Sequence, residues 1–330
     1  MRLLIVNDNT ITQVNGVVTT VTNVITELER RDIIVKHLTV DDFYSIPSFL
    51  YPGVRFVLNP WKMKKIVDDF QPTHIHITTE GIVGLTMSYI CWKRNWNYTS
   101  SFHTRWDMFF HRMVGVDFKV VNKYLRWFHS KSKAVLATTK GMQEQLESEG
   151  YKNVIEWSRG VDKLQFRFSD HPISEKPIII SVGRISAEKN LEKFCELPSA
   201  KYQLRCIGDG PILKRLQQQY PDVEFVGELK GEELEKAYQS ADCMVFSSIS
   251  DTFGLVMIEA MSTGTPTAGY PVQGPKDVVE QGKSGYLSDD LETAIDLALT
   301  IPRSIVYETS KKWTWQNTTD IFIKHLVSCK

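Results

Sequence analysis

Short apolar runs alternate with longer amphipathic segments along the whole chain. In the first half, apolar runs rich in β-branched residues cover positions such as 3–6, 33–39 and 73–77, and a segment of helical period covers 17–29. The second half repeats the alternation, beginning with an apolar run at 178–182. Because parallel strands are joined by crossover segments, usually helices, the pattern predicts an α/β fold with parallel sheets and helices on both faces.

Two domains are predicted from the number of strands and from a break in composition. The apolar runs are too many for one open sheet of ordinary size. The break is FSDHPISEKP at residues 168–177, a polar stretch with two prolines near the middle of the 330-residue chain. Such a composition is typical of linkers. We therefore predict Rossmann-like domains over residues 1–168 and 177–309, followed by a helical segment over 310–330.

Composition and charge argue against several classes of protein. Lys+Arg and Asp+Glu both number 39, and a protein without basic excess is not expected to bind nucleic acid. The five cysteines lack the paired spacing of zinc sites, so no metal is expected, and scattered thiols fit the reducing cytoplasm. The N-terminal apolar run is too short for a signal peptide, and no stretch reaches the length of a membrane span. We therefore expect a cytoplasmic location.

Two carboxylates flank the predicted start of a helix in the second half. Asp251 lies in a loop after a strand, Gly254 opens the helix, and Glu259 lies just over one turn into it. The amides around Phe253, Gly254 and Leu255 form a helix N-terminus, where phosphate binds readily. Carboxylates accept hydrogen bonds from sugar and ribose hydroxyls. Taken alone, the segment fits a helix start with an acidic cap equally well.

Two cations follow the strand at 178–182. Arg184 and Lys189 lie at its carboxyl end, the edge at which ligands bind in open parallel sheets. A forked guanidinium and a point-charge ammonium together suit a diphosphate. A solvated loop is the alternative for this pair alone. Both segments, however, follow the carboxyl ends of strands in the same predicted sheet. One offers cations for a diphosphate and the other offers carboxylates for hydroxyls, so together they suit a single ligand.

Together these segments resemble glycosyltransferase family 4. The acidic-x7-Glu motif of that family matches Asp251 and Glu259, although the family usually has Glu at the first position. The G-R-x-x-x-E-K-N motif matches residues 183–190. Further matches are NGVV at 15–18, WSRGVD at 157–162, GDGP at 208–211 and EAMSTGTP at 259–266. The patterns DTFG at 251–254 and YPVQGP at 270–275 are similar to bacterial α-mannosyltransferase-like and sulfoquinovosyltransferase-like members.

The resemblance implies a GT-B fold, with two Rossmann-like domains facing across a cleft and a C-terminal helix crossing back to the first domain. It implies a retaining hexosyltransferase without a cofactor. The second domain would hold a nucleotide-diphosphate sugar, GDP- or UDP-linked and preferably mannose-like. The first domain would supply His103 beside the anomeric carbon, the loop at Gly16, and the site for a glycan or lipid-linked acceptor.

Two other functions are compatible with the same motifs. One is a GT-B-shaped epimerase or hydrolase of nucleotide sugars, and the other is a non-catalytic module that binds nucleotide sugars or glycans. The chain contains no Asp-x-Asp, the motif that holds a metal–diphosphate in the other large glycosyltransferase fold. Because Arg184 and Lys189 can offset the charge of the leaving group, we expect the reaction to need no metal.

A basic and aromatic stretch extends over residues 91–133. It contains nine lysines and arginines against two aspartates, with aromatic residues interleaved. Such a composition fits peripheral contact with an anionic membrane surface or an anionic acceptor. The alternative is that the aromatic residues belong to the core and the charges are spread around the domain.

Overall fold

The computed structural model describes residues 1–13, 15–48, 55–106 and 117–330. The chain forms two compact units, of which the first comprises Met1–Ser158 and Trp315–Lys330 and the second comprises Arg159–Thr314. The units therefore change at 158 and 314, whereas the sequence placed the boundaries at 168 and 310. The difference arises because Val161 and Phe166 pack in the hydrophobic core of the second unit, together with Trp313.

The first unit contains a six-stranded parallel sheet and a separate antiparallel hairpin. Its strands are β1 (Arg2–Val6), β2 (Ile34–Leu38), β3 (Ser45–Pro47), β4 (Arg55–Val57), β5 (His74–Ile77), β6 (Thr99–Phe102), β7 (Val135–Ala137) and β8 (Val154–Glu156). The sheet has the order β2-β1-β5-β6-β7-β8, and β3 pairs with β4. In β1 the four residues from Leu3 to Val6 are buried, as in a parallel strand covered by helices on both faces.

The second unit contains another six-stranded parallel sheet. Its strands are β9 (Ile178–Val182), β10 (Gln203–Ile207), β11 (Glu224–Gly227), β12 (Cys243–Phe246), β13 (Thr267–Gly269) and β14 (Gly285–Leu287). Their order is β11-β10-β9-β12-β13-β14, which reverses direction between β9 and β12. This is the strand order of a dinucleotide-binding fold, and the reversal opens a crevice for ligands at the carboxyl ends of the strands.

Helices connect the strands in both units. They are α1 (Gly16–Glu29), α2 (Lys62–Phe70), α3 (Ile82–Arg94), α4 (Phe118–His129), α5 (Lys140–Ser148), α6 (Leu191–Cys195), α7 (Leu213–Gln219), α8 (Gly231–Gln239), α9 (Leu255–Thr263), α10 (Pro275–Val278), α11 (Leu291–Ala298), α12 (Arg303–Ser310) and α13 (Trp315–His325). None of the helices within the described ranges is long and apolar enough to cross a membrane. The hairpin and β14 were not predicted from the sequence.

Helix α13 packs in the first unit. Trp157 donates a hydrogen bond from Nε1 to the carbonyl of Thr318 at 2.9 Å, and the rings of His76 and Phe322 lie 4.7 Å apart. The sequence placed the whole segment from 310 onward on the first domain. Trp313 instead belongs to the second unit, where its ring meets the ring of Phe253 edge-on at 5.5 Å.

Candidate functional site

The loops after β9 and β10 approach each other closely at the carboxyl edge of the second sheet. Gly183 and Ile185 donate backbone hydrogen bonds to the carbonyls of Ile207 and Asp209, both at 2.9 Å. Gly208 has φ 142°, and a Cβ at this position would lie 1.9 Å from the carbonyl oxygen of Gly183. Only glycine allows this approach. Arg184 directly follows Gly183 and is half-buried at this edge.

The segment that carries Lys189 is fixed to the end of the neighbouring strand β12. Residues Ala187–Lys189 form a short 3-10 helix, and Asn190 closes it in the left-handed conformation with φ 53°. Ser247 donates from Oγ to the carbonyl of Lys189 at 2.8 Å, and Asn190 donates from Nδ2 to the carbonyl of Ser247 at 3.2 Å. These bonds hold Lys189 beside the point where the strand order reverses.

Lys189 and Asp251 form an ion pair in this crevice. The Nζ atom of Lys189 lies 2.8 Å from Oδ1 and 2.7 Å from Oδ2 of Asp251. The two side chains are 28% and 27% exposed, so both remain accessible to a ligand. Because an ammonium has three donors, Lys189 can contact a phosphate while it keeps its bond to Asp251. The structure thus brings together the cation and the carboxylate that the sequence assigned to one ligand.

The N-terminus of α9 adjoins this pair. Gly254 precedes the helix with φ 90°, where a Cβ would lie 2.8 Å from the ring of Phe246 and from the methyl group of Met257. Since Gly254 has no side chain to cap the helix, the first-turn amides after it receive no side-chain cap. Uncapped amides at a helix N-terminus are a seat for an anion. Phe253 itself is buried and packs in the core, and Leu255 is half-buried.

Glu259 lies in the fifth position of α9 and is half-buried. Its Oε2 accepts a hydrogen bond of 2.8 Å from the hydroxyl of Tyr238 in α8. Burial of the carboxyl raises the pKa of Glu259 to about 7, although the Tyr238 hydrogen bond acts in the opposite direction. Sequence reasoning missed Tyr238, because nothing in the local pattern of α8 distinguishes a tyrosine that reaches the site from one that only fills the core.

His103 and Gly16, the remaining predicted residues, lie in the first unit. His103 follows β6, is 8% exposed, and meets the ring of Trp157 edge-on at 5.9 Å. Gly16 is the first residue of α1 and is exposed. Asn15 caps this helix by accepting hydrogen bonds from the amides of Val17 and Val18 at 3.0 and 2.9 Å. The loop at Gly16 is therefore a capped helix start.

Asp8 forms a second polar centre in the first unit that the sequence did not reveal. It follows β1, next to β5, where the order of the first sheet reverses. Its carboxylate accepts hydrogen bonds from the amides of Gly81, Val83 and Gly84 at 3.0, 2.6 and 3.2 Å, and from the hydroxyl of Thr79 at 2.8 Å. The start of α3 is therefore capped by an anion of the protein itself. Burial raises the pKa of Asp8 to about 6.

The basic stretch at 91–133 is partly exposed in the structure. Trp92 of α3 and Trp127 of α4 are 65% and 56% exposed, whereas Phe128 is buried. Within the described ranges, no group of three or more histidine, cysteine or acidic side chains forms a cluster that could hold a metal ion. The predicted members of the stretch at 107–116, which are Asp107, Phe109, Phe110 and Arg112, lie outside the described residues.

Two family models match the chain in succession. The model described as Glycosyltransferase Family 4 matches residues 14–163, and the model described as Glycosyl transferases group 1 matches residues 162–311. The GDP-mannose-dependent alpha-mannosyltransferase of Corynebacterium glutamicum is 27% identical over 92% of this chain and 79% of its own length. The sulfoquinovosyl transferase SQD2 of Arabidopsis thaliana is 29% identical over 84% of this chain and 60% of its own length.

Solved glycosyltransferases have the same fold. Sucrose-phosphate synthase from Thermosynechococcus elongatus superposes with a TM-score of 0.75 at 17% identity, covering 98% of this chain and 97% of that one. Anabaena Alr3699/HepE, solved with UDP and glucose, superposes with a TM-score of 0.71 at 15% identity, covering 98% of both chains. The predicted α/β fold of the GT-B type is thereby confirmed.

Proposed function

The chain is a member of glycosyltransferase family 4, and on that basis we propose that it transfers a hexose from a nucleotide-diphosphate sugar to a hydroxyl acceptor, with retention and without a metal. The observation that carries this proposal is the Lys189–Asp251 pair beside the uncapped start of α9. A cation, a carboxylate and helix amides without a side-chain cap at one crevice match the phosphates and hydroxyls of such a donor.

Each contact follows from the chemistry of the donor. Arg184 and Lys189 bind the diphosphate and offset the charge that it gains as it leaves. Asp251 accepts a hydroxyl of the sugar, and Glu259 accepts a hydroxyl of the ribose. Several relatives are named as GDP-mannose-dependent mannosyltransferases, and this favours GDP-mannose. HepE, in contrast, was solved with UDP-glucose, so UDP-linked donors belong in the test.

We assign the reaction to front-side attack. The bond between the anomeric carbon and the diphosphate oxygen breaks while the acceptor oxygen bonds to the same face of that carbon. The proton of the acceptor hydroxyl passes to the departing diphosphate, so no protein base is required. His103 contributes a hydrogen bond to a sugar hydroxyl rather than a proton transfer to the acceptor.

The test is a donor panel of GDP-mannose, GDP-glucose, UDP-glucose and UDP-galactose, each assayed with a mixed glycan and glycolipid acceptor pool in EDTA. Transfer with retained anomeric configuration, read by NMR, is the expected result. Donor hydrolysis or epimerisation without transfer would favour the nucleotide-sugar epimerase or hydrolase, and binding without turnover would favour a binding module. Loss of activity in EDTA with recovery in Mg2+ or Mn2+ would contradict metal independence.

A matched pair of lysine variants locates the diphosphate. Lys189→Ala removes a cation of the crevice, whereas Lys193→Ala removes an exposed lysine whose ion pair, among the described residues, is with Glu196 directly after α6. We expect Lys189→Ala to lower turnover by about 100-fold or more, because one preorganised donor to a developing charge contributes roughly 2–4 kcal/mol. Equal turnover in the two variants would place the diphosphate elsewhere.

Exposed aromatic residues on α3 and α4 support a second proposal, that the first unit contacts an anionic membrane surface peripherally through these helices. The rings of Tyr89 and Trp92 lie 5.8 Å apart on α3, and those of Tyr124 and Trp127 lie 6.1 Å apart on α4. The same two helices carry the exposed basic residues Lys93, Lys119, Lys123 and Arg126. The Nζ atom of Lys93 lies 5.5 Å from the centre of the Tyr89 ring. Aromatic rings within a basic surface fit the interface of an anionic bilayer. Such contact would bring the enzyme to a lipid-linked acceptor.

Vesicle sedimentation tests the membrane proposal. Wild type should sediment with phosphatidylglycerol vesicles and not with phosphatidylcholine vesicles. The double variant W92A/W127A should lose most of this binding. Trp61→Ala removes a tryptophan that is 74% exposed at the start of α2, and it serves as the control. Unchanged binding of W92A/W127A, or no binding of wild type to anionic vesicles, would refute contact through this face.

A further inference from the structure

Tyr238 reaches the carboxylate that we assign to the ribose. It lies in α8 with its side chain fully buried, and its hydroxyl donates to Oε2 of Glu259 at 2.8 Å. Among the side-chain hydrogen bonds of the described residues, this is the only one that Glu259 makes. We propose that Tyr238 is a positioning residue, which orients Glu259 and keeps it ready to accept a ribose hydroxyl. This inference rests on the proposed function, which supplies the ribose.

The surroundings of Tyr238 hold its hydroxyl in one place. Its ring meets the ring of Phe166 edge-on at 5.7 Å, inside the core of the second unit. Its carbonyl accepts hydrogen bonds from Oγ1 of Thr265 at 2.7 Å and from the amide of Ala241 at 3.2 Å. A buried tyrosine has two side-chain dihedral angles, and packing fixes both. The hydroxyl is therefore a rigid donor that engages one carboxylate oxygen and leaves Oε1 for the ligand.

The hydrogen bond also controls the proton of Glu259. A donor to the ionised form stabilises that form, so the bond from Tyr238 lowers the pKa of Glu259 against the effect of burial. Most other charged or titratable groups near α9 have partners of their own. Arg303 donates to the carbonyls at 241 and 263, and Lys163 donates to Ser262 and Ser310. The remaining partnerships are Glu235 with Arg167, Glu232 with Lys236, Asp251 with Lys189, and Cys243 with the carbonyl of Met244. Glu233 of α8 is exposed. None of these partnerships replaces the Tyr238 hydroxyl.

Tyr238→Phe removes the hydroxyl and keeps the ring. Near neutral pH, Glu259 should then take up a proton and accept the ribose hydroxyl less well. We expect the donor KM to rise about tenfold, because this change corresponds to the loss of one hydrogen bond to a charged group. The kcat should stay within about twofold of wild type. The deficit should shrink as pH rises, because the carboxyl ionises again. A residue that acted only through the core would not produce this pH dependence.

Tyr202→Phe is the matched control. Tyr202 is also buried and donates to a carboxylate, that of Asp296 at 2.6 Å, but it precedes β10 at the opposite end of the strand from the crevice. Its loss should leave donor KM unchanged at every pH. If Tyr238→Phe folds poorly, Glu259→Asp provides the second test. That shorter side chain draws the carboxylate away from Tyr238 and should show the same split between KM and kcat.

Calorimetric titration with GDP and UDP separates the two levels of inference. Wild type that binds neither nucleotide would overturn the assigned ribose contact, and the positioning of Glu259 with it. If wild type and Tyr238→Phe bound a nucleotide equally tightly at neutral pH, the positioning role of Tyr238 would be wrong, and the ribose contact of Glu259 would still stand. A fall in kcat at unchanged KM would likewise contradict it, because a ribose contact is remote from the reacting carbon.

Discussion

Glu259→Gln should make the second unit more stable at neutral and alkaline pH. Burial raises the pKa of this carboxyl from its ordinary value of 4.5 to about 7. The native state therefore binds the proton more tightly than the unfolded state does. An acid of this kind contributes stability below the unfolded pKa, and the contribution disappears as pH rises through the folded pKa. Glutamine is uncharged throughout, and it can still accept the hydrogen bond from Tyr238.

The magnitude follows from the pKa difference. Each pKa unit corresponds to about 1.4 kcal/mol. The protonated Glu259 carboxyl therefore contributes about 3 kcal/mol to the stability of wild type at a pH below its unfolded pKa. Between about pH 5 and about pH 8, the advantage of the variant over wild type should grow by roughly 2.5 kcal/mol. Urea unfolding of both proteins at the two pH values measures this difference.

Glu235→Gln provides a control of opposite sign. Hydrogen bonds from Arg167 lower the pKa of Glu235, so its stabilising contribution exists at neutral pH and is lost as pH falls through the folded pKa. That variant should be less stable than wild type at about pH 8. If Glu259→Gln showed the same stability difference from wild type at both pH values, the pKa of Glu259 would not be raised in the folded protein, and the prediction would be wrong.

Three further outcomes are expected. Asp251→Asn should lower kcat, because the sugar contact that we propose for Asp251 lies near the reacting carbon. In a double-mutant cycle with Lys189→Ala the two losses should be less than additive, and full additivity in steady-state kinetics would contradict the cooperation of the two residues. Asp8→Ala should destabilise the first unit by about 1–2 kcal/mol in urea unfolding, since the start of α3 loses its cap. Removal of residues 315–330 should lower the melting temperature of the first unit, and unchanged calorimetric transitions would show that α13 is dispensable.

The sequence predicted those parts of the fold and site that depend on local pattern. Parallel strands read as apolar runs, and ligand-binding residues in such sheets follow the carboxyl ends of strands. Arg184 and Lys189 could therefore be placed from the end of β9, and Asp251 and Glu259 from the start of α9. The direct pairing of Lys189 with Asp251 could not be predicted from the sequence. The two residues are 62 positions apart, and they meet only because β9 and β12 are neighbours in the sheet.

Contacts between distant segments account for what the sequence did not predict. Trp313 and Trp315 are two residues apart and equally apolar, yet they belong to different units. No periodicity within 310–330 separates them, since the choice depends on surfaces formed elsewhere. Asp8 meets the amides of α3 across more than 70 residues, and a lone aspartate after a strand carries no signal of that partner. Tyr238 reaches Glu259 for the same tertiary reason.

The return of α13 to the first unit has a consequence for biosynthesis. The indole of Trp157 bonds to a carbonyl 161 positions later, and the thiol of Cys329 donates to the carbonyl of Pro72 across 257 positions. When the ribosome has made all the strands of the first sheet, the helix that packs against α1 has not yet been synthesised. Domains tend to fold as units when their residues have emerged. The second unit can therefore complete its fold before the first, and the apolar surface that α13 buries in the first unit stays uncovered until residues 315–330 emerge.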